Sequence, residues 1–272
     1  MMESLRILQF NMGGMRLALV NAEHFINRRG INVALISEPS KAPIYGFQRF
    51  ESGCAAILVK HGIEVRLLML IGETVEIQIG TLNVVSTYWG PNDEIEGALS
   101  DLEMVIRLNP RGKWIIGGDL NIGLEPVVDF STLNWRKQRR MEIAQPDLDS
   151  YGYTLWNNNS PTCYHMGFES INDYTLSQGV EVCNWEVVPT PTMADHQFIS
   201  YGILMEEDVV CKKQIQRTTD YKLYEEKILN QEELLPYYSV GETRVNATTI
   251  TNWLSRTTNE CTKEVVRKPL TA

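Results

Sequence analysis

The chain has 272 residues, of which 43% are hydrophobic and 22% are charged, a composition typical of a globular protein with a substantial buried core. Its formal net charge of -9 argues against a surface that binds polyanions unspecifically, because such surfaces need an excess of Lys and Arg. A local basic patch, or a metal ion that reverses the charge within a site, stays compatible with this total.

No apolar run reaches the roughly 18 to 20 residues of a membrane span. The first residues lack the basic start and the cleavage site of a signal peptide. The five cysteines are odd in number, widely spaced and without a CxxC pair, which predicts reduced thiols rather than disulfides or a zinc site. We therefore expect an intracellular protein that does not associate with a membrane.

Short segments rich in Val, Ile and Leu recur up to about residue 204 and predict a chain rich in β-strands. The predicted strands are 5–10, 32–37, 54–60, 63–70, 74–80, 82–88, 113–118, 153–157, 173–177, 183–188 and 197–203. Helical period occurs at 15–29, where Leu17, Val20, His24 and the pair Phe25 and Ile26 lie near one face, and at 93–108. This order predicts α/β layers around a pair of mixed sheets.

The sequence changes character near residue 205, where a polar stretch leads into segments of helical character at 221–235 and 247–266. We therefore predict one domain at 1–204 and a helical extension at 205–272. The sequence shows no internal repeat and no low-complexity tract.

Polar side chains collect where the predicted strands end or begin. They are Asn11, Glu38, Tyr88, Asp119, Asn121, Asp173, Asp195 and His196. Each residue alone has an ordinary explanation as a turn residue, a cap, a core side chain or a solvated carboxylate. The whole set, with its carboxylates, carboxamides, tyrosine and histidine, is the inventory needed to cleave a phosphodiester.

The predicted chemistry combines a metal ion with a histidine. A hard divalent cation such as Mg²⁺ takes oxygen ligands, which Glu38, Asp195 and Asn11 can supply while water molecules stay bound. The cation would stabilise the negative charge that builds up on the phosphate. A histidine held by a carboxylate can activate water or bind a phosphate oxygen. We therefore predict Mg²⁺ as the cofactor, with Mn²⁺ as a substitute.

Six motifs occur in order between residues 5 and 204, and they read LQFNMGG, ISEP, STYWGPN, GGDLN, SINDYTLS and ADHQFISYGI. Together they resemble the successive motifs of the endonuclease/exonuclease/phosphatase superfamily, the fold of DNase I and exonuclease III. Within it, the sequence is most similar to the apurinic-type endonuclease domains of arthropod non-LTR retrotransposons. The resemblance implies a four-layer α/β sandwich, in which two packed mixed sheets are flanked by helices.

The resemblance also implies roles for the motif residues that surround a metal and a phosphate. Glu38 would be a direct metal ligand with Asn11 as its partner, and Asp195 would be a further metal-binding carboxylate. Tyr88 and Asn92 would contact the phosphate.

The remaining motif residues would carry out the catalytic steps. Asp119 would protonate the leaving oxygen or prepare the attacking water, and Asn121 would orient the phosphate. His196 would be the catalytic histidine, oriented by the carboxylate of Asp173.

The stretch 134–142, NWRKQRRME, holds four cations within five residues beside a tryptophan. It predicts either a surface that binds DNA phosphates or, with equal weight, the solvated face of a helix. It is also a weak nuclear-localisation signal. The predicted DNA contacts are Trp135, Arg136, Lys137, Arg139 and Arg140, to which the resemblance adds Thr162.

These observations predict a Mg²⁺-dependent endonuclease that nicks double-stranded DNA and leaves a 3′-hydroxyl, which in a retrotransposon would prime reverse transcription. We expect a nuclear protein whose extension leads towards a reverse transcriptase domain. Two alternatives stay open, a phosphatase or ribonuclease of the same fold and a non-catalytic DNA-binding relic. The segment GLEPVVDF after the GGDLN motif departs from the family pattern and favours the relic, whereas the intact acidic residues and His196 argue against it.

Overall fold

The computed structural model describes residues 4–108, 112–189 and 195–205, and the backbone of 215–219 and 262–266. Within these ranges the helices are α1 (Arg16–Arg29), α2 (Ile95–Leu108) and α3 (Trp135–Ser150), with a 3-10 turn at Phe130–Thr132. The strands are β1 (Ser4–Asn11), β2 (Val33–Ser37), β3 (Phe47–Ser52), β4 (Ala55–Lys60), β5 (Arg66–Ile71), β6 (Thr74–Ile79), β7 (Leu82–Tyr88), β8 (Lys113–Asp119), β9 (Thr154–Leu155), β10 (Cys163–His165), β11 (Phe168–Ser170), β12 (Asp173–Gln178), β13 (Val182–Val188), β14 (Phe198–Leu204), β15 (Ile215–Thr219) and β16 (Thr262–Val266).

The chain forms two compact units, Met1–Val210 and Cys211–Ala272. The described part of the second unit is an antiparallel pair of β15 and β16. The predicted helix at 247–266 is therefore wrong for its last five residues, which form β16 instead. The predicted helical segment 221–235 and the first part of 247–266 lie outside the described residues, and the division into a 1–204 domain and an extension stays a prediction.

The first unit contains two six-stranded sheets. The strand order is β13-β14-β1-β2-β4-β3 in the first sheet and β5-β6-β7-β8-β12-β9 in the second, while β10 and β11 form a separate hairpin. In each sheet one central pair runs parallel, β1 with β2 and β7 with β8, and the other pairs run antiparallel. Both sheets are therefore mixed.

The two sheets pack face to face through alternating apolar side chains. Ile7 and Leu35 of the first sheet belong to the same buried cluster as Val75 and Ile115 of the second. A second cluster joins α1 to the outer face of the first sheet, and a third joins α2 and α3 to the outer face of the second. This arrangement is a four-layer α/β sandwich, so the predicted fold class is confirmed.

Helix α1 buries only part of the face that the sequence pattern predicted, since Ile26 is buried and Phe25 packs against the same cluster. Leu17 and Val20 are each 57% exposed, and His24 is exposed as well. The residues that α1 buries are Ala18, Leu19, Ala22 and Ile26. Both faces repeat at helical spacing, and the buried one contains two small alanines, which allow the helix to approach the sheet closely.

The strands β3, β10 and β11 were not predicted, and helix α3 was expected only as one of the two interpretations of 134–142. Helix α3 contains Pro146 and mostly polar residues, so its apolar period is weak. Its buried residues are Arg140, Met141, Ala144 and Leu148. The side chains of β10 and β11 are mostly exposed, which removes the alternation that identifies a strand.

The topology brings several strand ends to one edge of the sandwich. Asn11 at the end of β1 pairs in register with Ser37 at the end of β2. In the second sheet, Asp119 at the end of β8 pairs with Tyr88 at the end of β7 and with Asp173 at the start of β12. Because all these ends face the same way, the polar residues after them gather at this edge.

Glu76 is a buried carboxyl group away from this edge. Its side chain is 2% exposed and lies on the α2 side of β6, opposite to the inter-sheet residues Val75 and Ile77. Burial raises the pKa of Glu76 from 4.5 to about 7, because the ionised form loses its hydration. Between these two values the folded state holds more protons than the unfolded state, so stability falls as the pH rises.

Replacing this carboxyl group tests that dependence. Glu76→Gln should raise the free energy of unfolding at pH 8 by about 1 to 3 kcal/mol and change it little at pH 4.5. Urea unfolding of both chains across this pH range measures the difference, with the exposed Glu181→Gln as the matched control. If the difference in unfolding free energy between Glu76→Gln and the wild type does not change with pH, Glu76 has the same pKa in the folded and unfolded states.

Candidate active site

A buried histidine-carboxylate pair lies at the shared edge. His196 Nδ1 is 2.7 Å from Asp173 Oδ2, and the two side chains are 13% and 0% exposed. The other ring nitrogen of His196, Nε2, is 3.8 Å from Asp119 Oδ2. Burial disfavours a charge on His196, but Asp173 and Asp119 outweigh this effect and raise the pKa of the imidazole. The two carboxylates therefore favour the charged form of His196.

Asp119 is fixed by hydrogen bonds from both sheets. Its Oδ1 accepts from the Asn121 backbone N–H at 3.0 Å, and its Oδ2 accepts from Asn11 Nδ2 at 2.9 Å. Its own N–H donates to Ser37 Oγ at 3.1 Å. Burial, followed by the charge of Asp173, holds the pKa of Asp119 above its ordinary value. The carboxylate is thus oriented and ready to accept a proton.

Asn11 bridges two carboxylates instead of facing a metal. Its Nδ2 donates to Glu38 Oε1 at 2.8 Å and to Asp119 Oδ2 at 2.9 Å. Its Oδ1 accepts from the Gly13 N–H at 2.7 Å. Since a carboxylate only accepts hydrogen bonds, the amide nitrogen must lie between the two acids. These contacts show Asn11 positioning Glu38 and Asp119, and its role as a metal ligand stays a prediction.

Glu38 occupies an unusual backbone conformation at the end of β2. Its φ of 47° lies in the left-handed region, which non-glycine residues seldom adopt. Backbone hydrogen bonds hold it there, from its N–H to the Cys54 carbonyl at 2.8 Å and from the Gly14 N–H to its own carbonyl at 3.0 Å. The side chain is half-buried and hydrogen-bonds with Tyr88. This conformation turns the carboxylate towards Asn11 and the site.

Tyr88 and Asn121 complete the rim of the cluster. Burial, then the charges of Glu38 and Asp119, raise the pKa of Tyr88, so its hydroxyl keeps its proton. Asn121 has a φ of 48°, and its Nδ2 donates to the Trp89 carbonyl at 3.1 Å. The structure thus brings both predicted residues to the same edge as Asp119.

Thr162 lies behind the cluster, not on a DNA-facing surface. Its side chain is 0% exposed, and its Oγ1 accepts from the backbone N–H groups of Asn172 and Asp173, both at 3.1 Å. A fully buried hydroxyl cannot reach a DNA phosphate, so the predicted contact is wrong. Thr162 instead anchors the start of β12, from which Asp173 projects.

Asp195 is not brought to the cluster. Its Oδ2 is 2.5 Å from His165 Nδ1, and the two side chains are 52% and 63% exposed. No pattern in the sequence indicates this pair, because His165 lies 30 residues away on the unpredicted strand β10. The predicted metal-binding role of Asp195 has no support from this geometry.

The basic cluster lies at the start of α3. Asn134 caps the helix, accepting from the N–H groups of Arg136 and Lys137. The guanidinium of Arg136 lies 5.4 Å from the ring centre of Trp135, which is 70% exposed, and its Nη1 donates to Asn92 Oδ1 at 3.4 Å. Trp135, Arg136 and Arg139 line an open depression of about 620 Å³ together with Asn92.

The carboxylates of this edge suit a divalent cation. Ligand atoms of Asp119, Asp173 and His196 all lie within 4.8 Å of one another, and Asp173 Oδ1 is buried without a hydrogen-bond partner among the described residues. The carboxylate of Glu38 is half-buried and thus accessible to a hydrated ion. Clustered oxygen ligands with access to water are the donor set that hard cations prefer.

The comparisons with known proteins agree with this fold. Residues 82–200 match a family model described as Endonuclease-reverse transcriptase. The endonuclease domain of TRAS1, a telomere-specific non-LTR retrotransposon, is 24% identical with a TM-score of 0.66, and the match covers 75% of this chain and 100% of that one. No curated protein matches the sequence.

Two further solved structures share the fold. An AP endonuclease from Archaeoglobus fulgidus is 16% identical with a TM-score of 0.56, and the match covers 72% of this chain and 98% of that one. The 3′ phosphatase NExo from Neisseria, solved with a product DNA hairpin, is 12% identical with a TM-score of 0.55 and the same coverage of 72% and 98%. The family model and the TRAS1 structure confirm the predicted resemblance to the endonuclease domains of non-LTR retrotransposons.

In the described part of the chain, no helix is long and apolar enough to cross a membrane.

The charge of Asp173 is the main support for a protonated His196, and this dependence can be measured. Asp173→Asn should lower the pKa of His196, because burial then acts without its principal counter-charge. A pH titration of the imidazole ring signals by NMR, assigned with His196→Gln, measures the pKa.

The matched control is Asp195→Asn, which makes the same change next to His196 but affects a carboxylate that pairs with His165. It should move the pKa of His196 less. Equal pKa values in the wild type and Asp173→Asn would contradict the assigned role of Asp173.

Proposed function

We propose that this chain, which has the fold of the endonuclease/exonuclease/phosphatase superfamily, hydrolyses phosphodiester bonds in DNA with the help of a divalent metal ion. The observation that carries the proposal is the arrangement of Asp119 beside the His196-Asp173 pair, with Glu38 joined to Asp119 through Asn11. This arrangement offers a base, a cation and a metal-binding carboxylate at one edge of the sandwich.

His196 binds the phosphate in the proposed reaction. Asp173 holds the proton on Nδ1, so Nε2 also carries a proton when the ring is a cation. The Nε2–H donates to a non-bridging oxygen of the phosphate, where negative charge increases in the transition state. The position of Nε2, 3.8 Å from Asp119 Oδ2, brings this oxygen next to the base.

Asp119 is the base in the proposed reaction. A protonated His196 cannot accept a proton, whereas the raised pKa of Asp119 makes its carboxylate a better acceptor at neutral pH. Asp119 takes a proton from water as the water oxygen attacks phosphorus. The bond from phosphorus to the 3′ oxygen breaks, and this oxygen leaves as a 3′-hydroxyl after taking a proton from solvent.

Glu38 would hold the metal ion, and Asn11 keeps its carboxylate in place. We propose Mg²⁺, with Mn²⁺ as a substitute, because carboxylate oxygens and several waters are the ligands of such ions. When bound, the ion would neutralise charge on the phosphate and polarise it. Tyr88, which hydrogen-bonds with Glu38, limits the rotation of this carboxylate.

The proposed substrate is double-stranded DNA. The exposed Trp135 and Arg136 at the start of α3 offer stacking and phosphate contacts next to the active edge. Similarity to a retrotransposon endonuclease domain supports this substrate, as does a DNA-bound structure of the same fold. We further propose that the 3′-hydroxyl primes a reverse transcriptase in a longer protein and that the protein acts in the nucleus, for which the family description and the basic cluster are the support.

Plasmid nicking tests the catalytic assignment. Asp119→Ala and His196→Ala should each lower the rate of Mg²⁺-dependent nicking of supercoiled plasmid by about 10³-fold, because each removes a group that acts on the reacting atoms. The exposed controls Asp147→Ala and His24→Ala should nick like the wild type.

Other outcomes would change the proposal in defined ways. Nicking that survives both active-site substitutions would contradict the assignment of Asp119 and His196. DNA binding without nicking would favour a non-catalytic relic, and faster hydrolysis of RNA or of a phosphate monoester would favour a ribonuclease or phosphatase.

The metal assignment has a readout that does not depend on activity. The wild-type melting temperature should rise with Mg²⁺ concentration, since a ligand that binds only the folded state stabilises it. Glu38→Gln should abolish this rise and the cleavage but keep the melting temperature measured in EDTA. Scanning calorimetry measures the melting temperatures with Mg²⁺ and in EDTA, with the exposed Glu142→Gln as the control. A full rise of the melting temperature with Mg²⁺ in Glu38→Gln would place the ion elsewhere.

A further inference from the structure

The cations of α3 lie in three different environments. Arg136 and Arg139 are exposed and line the depression beside Asn92. Arg140 is 8% exposed and packs into the protein. Lys137 is half-buried, and it extends towards the start of β12. The four residues therefore cannot act as one basic patch.

Arg140 stabilises loops behind the active edge. Its Nη1 donates to the Asp93 carbonyl at 2.7 Å, and its Nη2 lies 3.5 Å from the Leu120 carbonyl. These contacts connect α3 to the segments that follow β7 and β8. Because its guanidinium is buried among backbone carbonyls, Arg140 has a structural role.

Lys137 is attached to the segment that presents the catalytic acids. Its Nζ donates to Asn172 Oδ1 at 2.6 Å. Asn172 is 8% exposed, directly precedes Asp173, and accepts from the Leu120 N–H at 2.9 Å through its carbonyl. Leu120 in turn follows Asp119. The ammonium is thus anchored to the two backbone segments from which both catalytic carboxylates project.

The charges of both carboxylates also act on this ammonium. Burial lowers the pKa of Lys137, and the charges of Asp119 and Asp173 act in the opposite direction. The hydrogen bond to Asn172 therefore places the Lys137 ammonium on the α3 side of the segment that carries Asp173.

We propose that Lys137, held by Asn172, is a further catalytic residue that binds a non-bridging oxygen of the phosphate cleaved at Asp119 and His196. A lysine ammonium has three N–H donors, and Asn172 accepts one of them, so two can serve the substrate. The inference rests on the proposed function, since it deepens the account of the same site. Asn172 is the positioning residue that keeps the flexible side chain in place.

The charge balance of the site explains why a second cationic side chain is needed in addition to His196 and the metal ion. Glu38, Asp119 and Asp173 are three acidic groups, and an incoming phosphodiester adds a further negative charge. His196 offsets one of them, and a divalent ion offsets two. The ammonium of Lys137 beside the phosphate offsets the remaining negative charge. It also donates a hydrogen bond that strengthens as charge develops on the phosphate oxygen.

The test combines kinetics with binding. Lys137→Met should lower kcat for a short DNA duplex by about 10- to 100-fold with a smaller change in KM, because the contact strengthens in the transition state. Lys137→Arg should recover part of this loss. Arg139→Met, which removes an exposed charge from the same helix, should raise KM more than it lowers kcat.

Binding in EDTA gives a readout that does not depend on cleavage. The slope of log Kd against log salt concentration, measured by fluorescence anisotropy, should fall by about 0.9 in Lys137→Met. Asn172→Leu should keep this slope, because the charge remains, but should lower kcat. Lys60→Met removes an exposed charge at the end of β4 and is the charge-matched control. It should change neither the salt slope nor kcat.

The outcomes separate this inference from the proposed function. If the wild type binds DNA but does not cleave it, the proposed catalysis fails, while the salt slope still reports on Lys137. If the wild type cleaves DNA and Lys137→Met keeps both the slope and kcat, Lys137 is only a structural tether and the inference is overturned. Thermal unfolding of each variant identifies any loss that is due to misfolding, and Lys137→Arg then decides the result.

Discussion

The active edge depends on one buried side chain that joins the two sheets. Asn11, at the end of β1 in the first sheet, donates to Glu38 of its own sheet and to Asp119 of the second sheet. Ser37 adds a second link through the Asp119 N–H. Apolar packing between sheets is not directional and tolerates small sliding movements, whereas these hydrogen bonds require defined positions. These hydrogen bonds therefore fix the distance between the carboxylates of Glu38 and Asp119.

A second polar bridge lies deeper between the sheets and explains the first glycine of the GGDLN motif. The buried Gln9 donates to the Tyr174 carbonyl at 2.9 Å and accepts from Thr175 Oγ1 at 3.0 Å, so it also joins the two sheets. A Cβ at Gly117 would lie 2.5 Å from Gln9 Oε1, so only glycine leaves room for this side chain. Buried polar networks stabilise one arrangement only when their members are satisfied. Gln9 and Asn11, spaced two residues apart on β1, thus fix the register of the two sheets beneath and at the site.

The sequence allowed the sheets and most site residues to be predicted, because buried strands show long apolar runs and polar residues at their ends stand out. Asn11, Asp119, Asp173 and His196 meet as expected, since parallel β1/β2 and β7/β8 pairs place their ends at one edge. The roles of individual side chains were less predictable. Whether Asn11 offers its oxygen or its nitrogen depends on its two acidic neighbours, and whether Asp195 faces the cluster depends on His165 of an unpredicted hairpin. These are tertiary contacts that no local pattern encodes.

The basic cluster of α3 shows the same limit in its clearest form. The sequence permitted two interpretations of it, a phosphate-binding surface or a solvated helix face, and helical phase decides between them residue by residue. Lys137 and Arg140 are three residues apart and turn inward, while Arg136 and Arg139, also three apart, turn outward. Charge counting treats the four as equivalent, yet Arg140 is buried against backbone carbonyls and Lys137 hydrogen-bonds with Asn172, the residue before Asp173. In an acidic chain, a local cation that is buried next to carboxylates acts on an approaching phosphate more strongly than an exposed one, because solvent screens the exposed charge.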